Sequence, residues 1–227
     1  MKGIFLINKP KNITSHGVVN FLRRLTGERK VGHAGTLDPM ATGLMIVAVG
    51  REFTKKLASF VKLDKEYVAK ICFGWDSTTY DAEGALSFVS KRKPFKEEIG
   101  GILKTFLGKQ KQAPPIFSAK KVGGQTAYKL ARKGKSVKIP KQNVEIYSIE
   151  VINYDYPKLI LKVRVSSGTY IRSLACDIGK KLKVGAYLCG LRRTVVGSYK
   201  IRQSRRPKSL KESEDLAKIQ IRLDEVK

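Results

Sequence analysis

The chain has 227 residues, with 46 Lys and Arg against 19 Asp and Glu, a formal net charge of +27. That length buries a substantial core, as one large domain or one domain with a small appendage, and so strong a positive charge repels itself unless a polyanion neutralises it, which makes nucleic acid the first partner to consider. No apolar run approaches the roughly 18 residues of a membrane-spanning helix, and the opening MKGIFLINKP lacks the apolar core of a signal peptide, so the expectation is a cytoplasmic protein with no membrane partner.

In chain order, the first stretch reads strand, turn, helix. Ser15 is placed to cap a helix that carries Val18, Leu22 and Leu25 on one face and stops at Gly27. GHAGTLDPMATG, residues 32–43, follows as a loop, and LMIVAVG, residues 44–50, is an apolar run bounded by glycine, hence a buried strand. EYVAKICFG, residues 66–74, alternates, with Tyr67, Ala69, Ile71 and Phe73 on the buried side of a strand. Pro94 can open a helix whose Ile99, Ile102, Leu103 and Phe106 recur at helical spacing until Gly108.

Residues 104–141 hold eleven Lys or Arg and no acid, and include a short helical piece with Tyr128 and Arg132; they read as a basic excursion from the core. Strand patterns return at 144–154 and 159–165, joined by a hairpin at Tyr156-Pro157. From Thr169 a helix is predicted, with Ile171, Leu174, Ile178 and Leu182 on one face. A second acid-free basic stretch, 192–211, precedes a mixed-charge helical tail. Strands in runs with few helices between them give a mixed or mainly antiparallel sheet and the class α+β.

Cys72, Cys176 and Cys189 are odd in number and widely spaced, with no CxxC, and read as small buried apolar residues; they suggest neither a disulfide framework nor a zinc site. Asp38 precedes Pro39, which favours an extended backbone for the acid, and Gly32, Gly35 and Gly43 allow a tight loop and close approach of a ligand. Most loop aspartates hydrogen-bond their own turn, so from the loop alone a turn role and a catalytic role both stand. Arg172 falls in the first turn of its helix, where the macrodipole disfavours a cation, and off the apolar face. A buried carboxylate paired bidentately with it resolves that placement, and such a pair also orients the acid; a solvated surface arginine is the alternative. Tyr67 reads as core by default, and His33 as a turn or stacking residue. Phe117, Tyr128 and Tyr170, aromatics among basic residues, suit base stacking or core packing alike.

Together these segments resemble the TruB family of tRNA pseudouridine synthases. The resemblance rests on seven collinear blocks: KPKNITS, GHAGTLDPMATG, KEYVAKICFG, APPIFSAKKVGGQTAY, KLARKG, SSGTYIRSLACDIG and LRRTVVGSY. It implies a pseudouridine synthase fold and isomerisation of uridine to pseudouridine in tRNA, most directly uridine 55 of the T loop. The C1′ to N1 bond breaks, the base turns, and it rejoins through C5, with no cofactor and no metal. By motif position, Asp38 would be the nucleophile, Tyr67 would stack on the target base and accept the proton from C5, and Arg172 would pair with Asp38. Leu191 would line the uracil pocket, His33 would hold flipped T-loop bases, and Lys9 with Pro10 would support the wall of the site. Lys120, Tyr128, Arg132 and Tyr170 would contact RNA.

The resemblance further implies a monomer acting on the T stem-loop without an obligate protein partner. Its catalytic domain would span 1–210, with a clamping insertion about 104–141; residues 211–227 would be a helical tail where relatives continue into a C-terminal RNA-binding domain, expected to be absent. Asn12 replaces a usual glycine but tolerates the left-handed conformation, and Ser77-Thr78-Thr79 stands where many members have Thr-Asp-Thr. The alternatives are a non-catalytic tRNA-binding or folding protein and a guide-RNA-dependent synthase of archaeal or eukaryotic type.

Overall fold

The opening strand β1 (Gly3–Lys9) is apolar along nearly its whole length and buried on both faces, as expected of a strand inside a sheet. In the computed structural model, which describes residues 1–118, 120–122, 124–126 and 139–221, the chain divides into two units, Met1–Tyr67 with Leu191–Lys227 and Val68–Gly190. Helix α1 (Ser15–Thr26) buries Val18, Val19 and Leu22 and ends at Gly27, whose φ of +68° is the left-handed cap that glycine adopts freely. Its N-cap is Thr14 rather than Ser15. The Thr14 hydroxyl accepts from the Gly17 N–H at 2.9 Å, and Ser15 turns inward. Asn12 has φ +66°, the left-handed conformation expected of it.

Strands β2 (Val31–Ala34) and β3 (Thr42–Val49) follow, then the short helices α2 (Arg51–Thr54) and α3 (Leu57–Val61) and strand β4 (Lys65–Phe73). In β4 the odd-numbered residues from Lys65 to Phe73 are buried, Tyr67 among them, and Lys70 is exposed, as the alternation predicts. After β4 come the hairpin β5 (Trp75–Ser77) and β6 (Leu86–Phe88), helix α4 (Lys96–Lys104) and strand β7 (Gly108–Gln112). Helix α4 is capped from Phe95, whose N–H donates to the Glu98 carboxylate at 2.8 Å. Two-residue strands β8 (Lys121–Val122) and β9 (Gln125–Thr126) precede β10 (Gln142–Asp155), β11 (Lys158–Val165), helix α5 (Ile171–Leu182) and β12 (Ala186–Val196). The chain closes with β13 (Tyr199–Lys200) and β14 (Gln220–Ile221).

In the first unit the strand order is β14, β1, β3, β12. One edge of β3 pairs with β1 from Gly43 to Val49; the other takes β2 at Ile46 to Val49 and then β12, in parallel, at Thr42 and Gly43. The loop between β2 and β3, which carries Asp38, thus springs from the point where that edge changes partner. Ile4, Leu6, Leu44, Ile46, Phe60, Val196 and Tyr199 form the core beneath. In the second unit the order is β12, β4, β11, β10, β7, with β10 and β11 a hairpin closed at Asp155 and Lys158, as predicted.

Three expectations change. The segment read as leaving the core at 104 instead completes α4 and then forms β7, which pairs with Gln142–Ile146 of β10, because alternate Gly108, Gln110 and Gln112 turn inward from exposed lysines. The tail is helical only in part over its described residues: Ser213–Ile219 is a 3-10 helix, and β14 then pairs with β1, with Leu216, Ile219 and Ile221 buried. Of the cysteines only Cys176 is buried; Cys72 and Cys189 are half-buried and meet Sγ to Sγ at 2.6 Å. Their hydrogen bond pulls the Cys72 thiol down to about 7 and pushes Cys189 up.

Candidate active site

Asp38 sits half-buried in a loop anchored at every turn. The Ser15 hydroxyl both donates to the Leu37 carbonyl at 2.9 Å and accepts from the Leu37 N–H at 2.8 Å, so the residue before Asp38 is held at both backbone atoms. The carbonyl of Pro39, the residue after it, accepts from the Asn12 N–H at 2.9 Å and from Lys9 Nζ at 3.2 Å. Lys9 is fully buried, and its ammonium also donates to the carbonyls of Pro10 and Ile13, which explains how a buried lysine is tolerated. The KPKNITS block is therefore a cradle for the loop.

The far ends of the loop are closed by Arg193. Its side chain, 1% exposed, donates from Nε to the Leu44 carbonyl at 2.7 Å and from Nη2 to the Gly35 carbonyl at 3.1 Å. A Cβ on Gly43 would stand 2.3 Å from the Arg193 carbonyl oxygen, so only glycine lets β12 approach there. Arg193 was not singled out in the sequence; it lies within LRRTVVGSY but nothing local marks it as buried. Arg193→Met is expected to cost about 1–3 kcal/mol of stability in denaturant titrations, because two buried carbonyls lose their donor.

Burial first, then the Arg193 and His16 charges, holds His33 below its ordinary value, so the imidazole is neutral at neutral pH, and its Nδ1 is buried without a hydrogen-bond partner among the described residues. Burial, reinforced by Arg193, likewise pushes Lys65 down to about 8. Leu191 is half-buried, and its carbonyl accepts from the Thr42 hydroxyl at 3.4 Å. Tyr67 is 8% exposed and faces with the core side of β4. Lys9, Pro10, His33, Asp38, Tyr67 and Leu191 all belong to the first unit.

In the second unit Arg172 is buried at the start of α5, and the carboxylate it calls for is present: Asp81, 3.4 Å from Nη1, with both side chains under a tenth exposed. Nη1 also donates to the Thr79 carbonyl at 3.3 Å and Nη2 to the Phe117 carbonyl at 2.9 Å. Asp81 Oδ1 accepts in turn from the Thr79 hydroxyl at 2.5 Å and the Glu83 N–H at 3.0 Å. Thr79, the position of that triplet that keeps the family's threonine, thus supplies a hydroxyl that holds the acid facing Arg172. Asp81 was missed in the sequence; the available signal was Arg172's own need for a buried acid.

Tyr170 caps α5, its N–H donating to Gln112 Oε1 and its carbonyl accepting from Gln112 Nε2. Phe117 contributes a backbone carbonyl to Arg172, and Lys120 is exposed. Tyr128 and Arg132 lie outside the described residues. Among the described residues no group of His, Cys, Asp and Glu could hold a metal ion, and no helix is long and apolar enough to cross a membrane.

The α+β fold is shared with solved structures. One neighbour is a chain of a Cbf5–Nop10–Gar1 complex, with a TM-score of 0.72 and 29% identity over 92% of this chain and 53% of that one. Another is from an H/ACA RNP bound to a substrate RNA containing 2′-deoxyuridine, with a TM-score of 0.69 and 27% identity. This chain spans about half the length of those neighbours. Residues 23–171 match the model of the TruB family pseudouridylate synthase N-terminal domain. The tRNA pseudouridine synthase B of Desulfotalea psychrophila is 47% identical over 206 residues, covering 88% of this chain and 83% of that protein. That of Protochlamydia amoebophila is 45% identical, over 88% and 76% respectively. The chain belongs to the TruB family of pseudouridylate synthases.

Proposed function

We propose that the protein isomerises uridine to pseudouridine in tRNA, at uridine 55 of the T loop, with Asp38 as nucleophile. The observation that carries this is the loop: an acid whose two neighbours are fixed by Lys9, Asn12 and Ser15, with both loop ends closed by Arg193, is held for positioned attack rather than left to a surface turn. Asp38 drives cleavage of the C1′ to N1 bond, the base turns, and C1′ joins C5. As nucleophile, Asp38 bonds C1′ while N1 leaves, and Asp38 is displaced when C5 joins C1′. The C5 proton passes by way of Tyr67 to solvent and N1 takes up one proton from solvent, so the reaction is a net isomerisation without cofactor or metal.

In this reading Arg172 pairs with Asp38; its guanidinium is held by Asp81 and the carbonyls of Thr79 and Phe117. The target base must leave its stack before attack, and stacking on Tyr67 in a pocket walled by Leu191, Lys9 and Pro10 offsets that cost. A neutral His33 suits stacking against a flipped base. Lys120, Tyr128, Arg132 and Tyr170 grip the T stem-loop through phosphate and stacking contacts. The enzyme is a cytoplasmic monomer with no obligate protein partner.

The likeness to chains from guide-RNA particles favours a second reading, a guide-dependent synthase, but the higher identity to tRNA pseudouridine synthase B favours free tRNA. A tRNA transcript carrying 5-tritiated uridine, incubated with the pure protein and no guide RNA, is expected to release tritium. Release only with a guide RNA would select the second reading, and binding without release would select the non-catalytic one.

A further inference from the structure

The hairpin of β5 and β6 places Trp75 opposite Phe88, and both rings stand out of the second unit: Trp75 is 42% and Phe88 53% exposed, edge to face at 5.3 Å between centroids. They are among the lining of a cavity of about 550 Å³. Its rim carries Lys91, Lys93 and Lys158, and Lys93 Nζ lies 5.4 Å from the centre of the Tyr156 ring. No Asp or Glu is among the lining residues. Exposed aromatics cost solvation and are kept where something covers them, and none of the residues placed in the reaction above lines this cavity.

Aromatic faces set among exposed cations fit one chemistry closely. An unstacked base lies on an aromatic ring while its phosphates meet lysines, and such a contact tolerates any base because every base has a π-face. A peptide partner would need apolar or acidic side chains; the lysine rim, in a chain of net charge +27, selects a polyanion.

We propose that the cavity bounded by Trp75, Phe88, Tyr156 and Lys93 is a second RNA contact that takes an unpaired nucleotide of the tRNA outside the T loop. The inference rests on the reading of tRNA as substrate. It predicts that full-length tRNA is gripped at two places and an isolated T stem-loop at one.

Trp75 is the chain's one tryptophan, so its fluorescence reports on this cavity alone. A short unstructured oligouridylate is expected to quench it saturably, and to do so equally when the T-loop site is filled with a T stem-loop. Phe88→Ala and the triple change Lys91→Glu, Lys93→Glu, Lys158→Glu, all at exposed positions, are each expected to weaken that binding by roughly tenfold or more. Activity on the isolated T stem-loop should stay at the wild-type level while KM for full-length tRNA rises.

Unchanged Trp75 fluorescence at saturating RNA, or equal binding by the triple variant, would overturn the proposal. Quenching by uridine monophosphate as strong as by the oligonucleotide would also overturn it, assigning the cavity to a free nucleotide. The two readings fail separately: an active enzyme with a silent Trp75 loses only the second contact, and a quenched Trp75 without pseudouridine formation loses only the catalytic reading.

Discussion

Asp38→Asn is expected to abolish pseudouridine formation, with a loss of at least about 10³-fold in turnover, while fold stability and tRNA affinity stay near those of the unchanged protein. Asparagine keeps the shape of aspartate and cannot serve as the nucleophile. The anchors described for the loop reach backbone atoms, the Leu37 N–H and the carbonyls of Gly35, Leu37, Pro39 and Leu44, so they survive the change. Rate and thermal unfolding together decide the result. Full activity in Asp38→Asn would remove Asp38 from the chemistry, and lost activity with lost folding would make it a structural residue.

The second large effect lies at Arg172 and Asp81. Arg172→Ala strips the cation from a carboxylate whose side chain is 3% exposed, and breaking a buried pair by deleting one partner costs about 3–5 kcal/mol. Equilibrium unfolding is expected to show a loss of that order, and turnover of a T stem-loop to fall with affinity retained. Asp81→Asn separates the two roles. Its oxygen can still accept from the Thr79 hydroxyl or the Glu83 N–H, but an amide no longer balances the guanidinium, so kcat should fall with KM little changed. A rise in KM with kcat unchanged would mean that this pair grips RNA and does not position the nucleophile.

The parts of this architecture written in local patterns were legible in the sequence. The alternation around Tyr67, the glycine stop at Gly27 and the hairpin at 155–158 needed only neighbours in the chain. What failed to show depends on distant partners. Ser15 looks like a helix cap because the hydroxyl is in the right place; it is drawn away by Leu37, 22 residues on, and Thr14 takes the cap. The lysines of 108–112 read as an excursion until β10 supplies a hydrogen-bonding edge.

The site divides in the same way. Asp38 and Arg172 stand out because each breaks a local rule, one an acid fixed before a proline, the other a cation at a helix start. Asp81 and Arg193 break none. Arg193 meets Gly35 across 158 residues, and Asp81 meets Arg172 across the span from a turn to a helix. Their burial is a property of the fold, so only coordinates reveal that one arginine closes the Asp38 loop and one aspartate backs Arg172.

The most direct test of the central claim is a nucleotide-resolution map of pseudouridine in a free tRNA transcript incubated with the pure protein. Pseudouridine at position 55 of the T loop, absent from the same transcript incubated with Asp38→Asn, is the result expected. An unmodified position 55, or equal modification by both proteins, would contradict it.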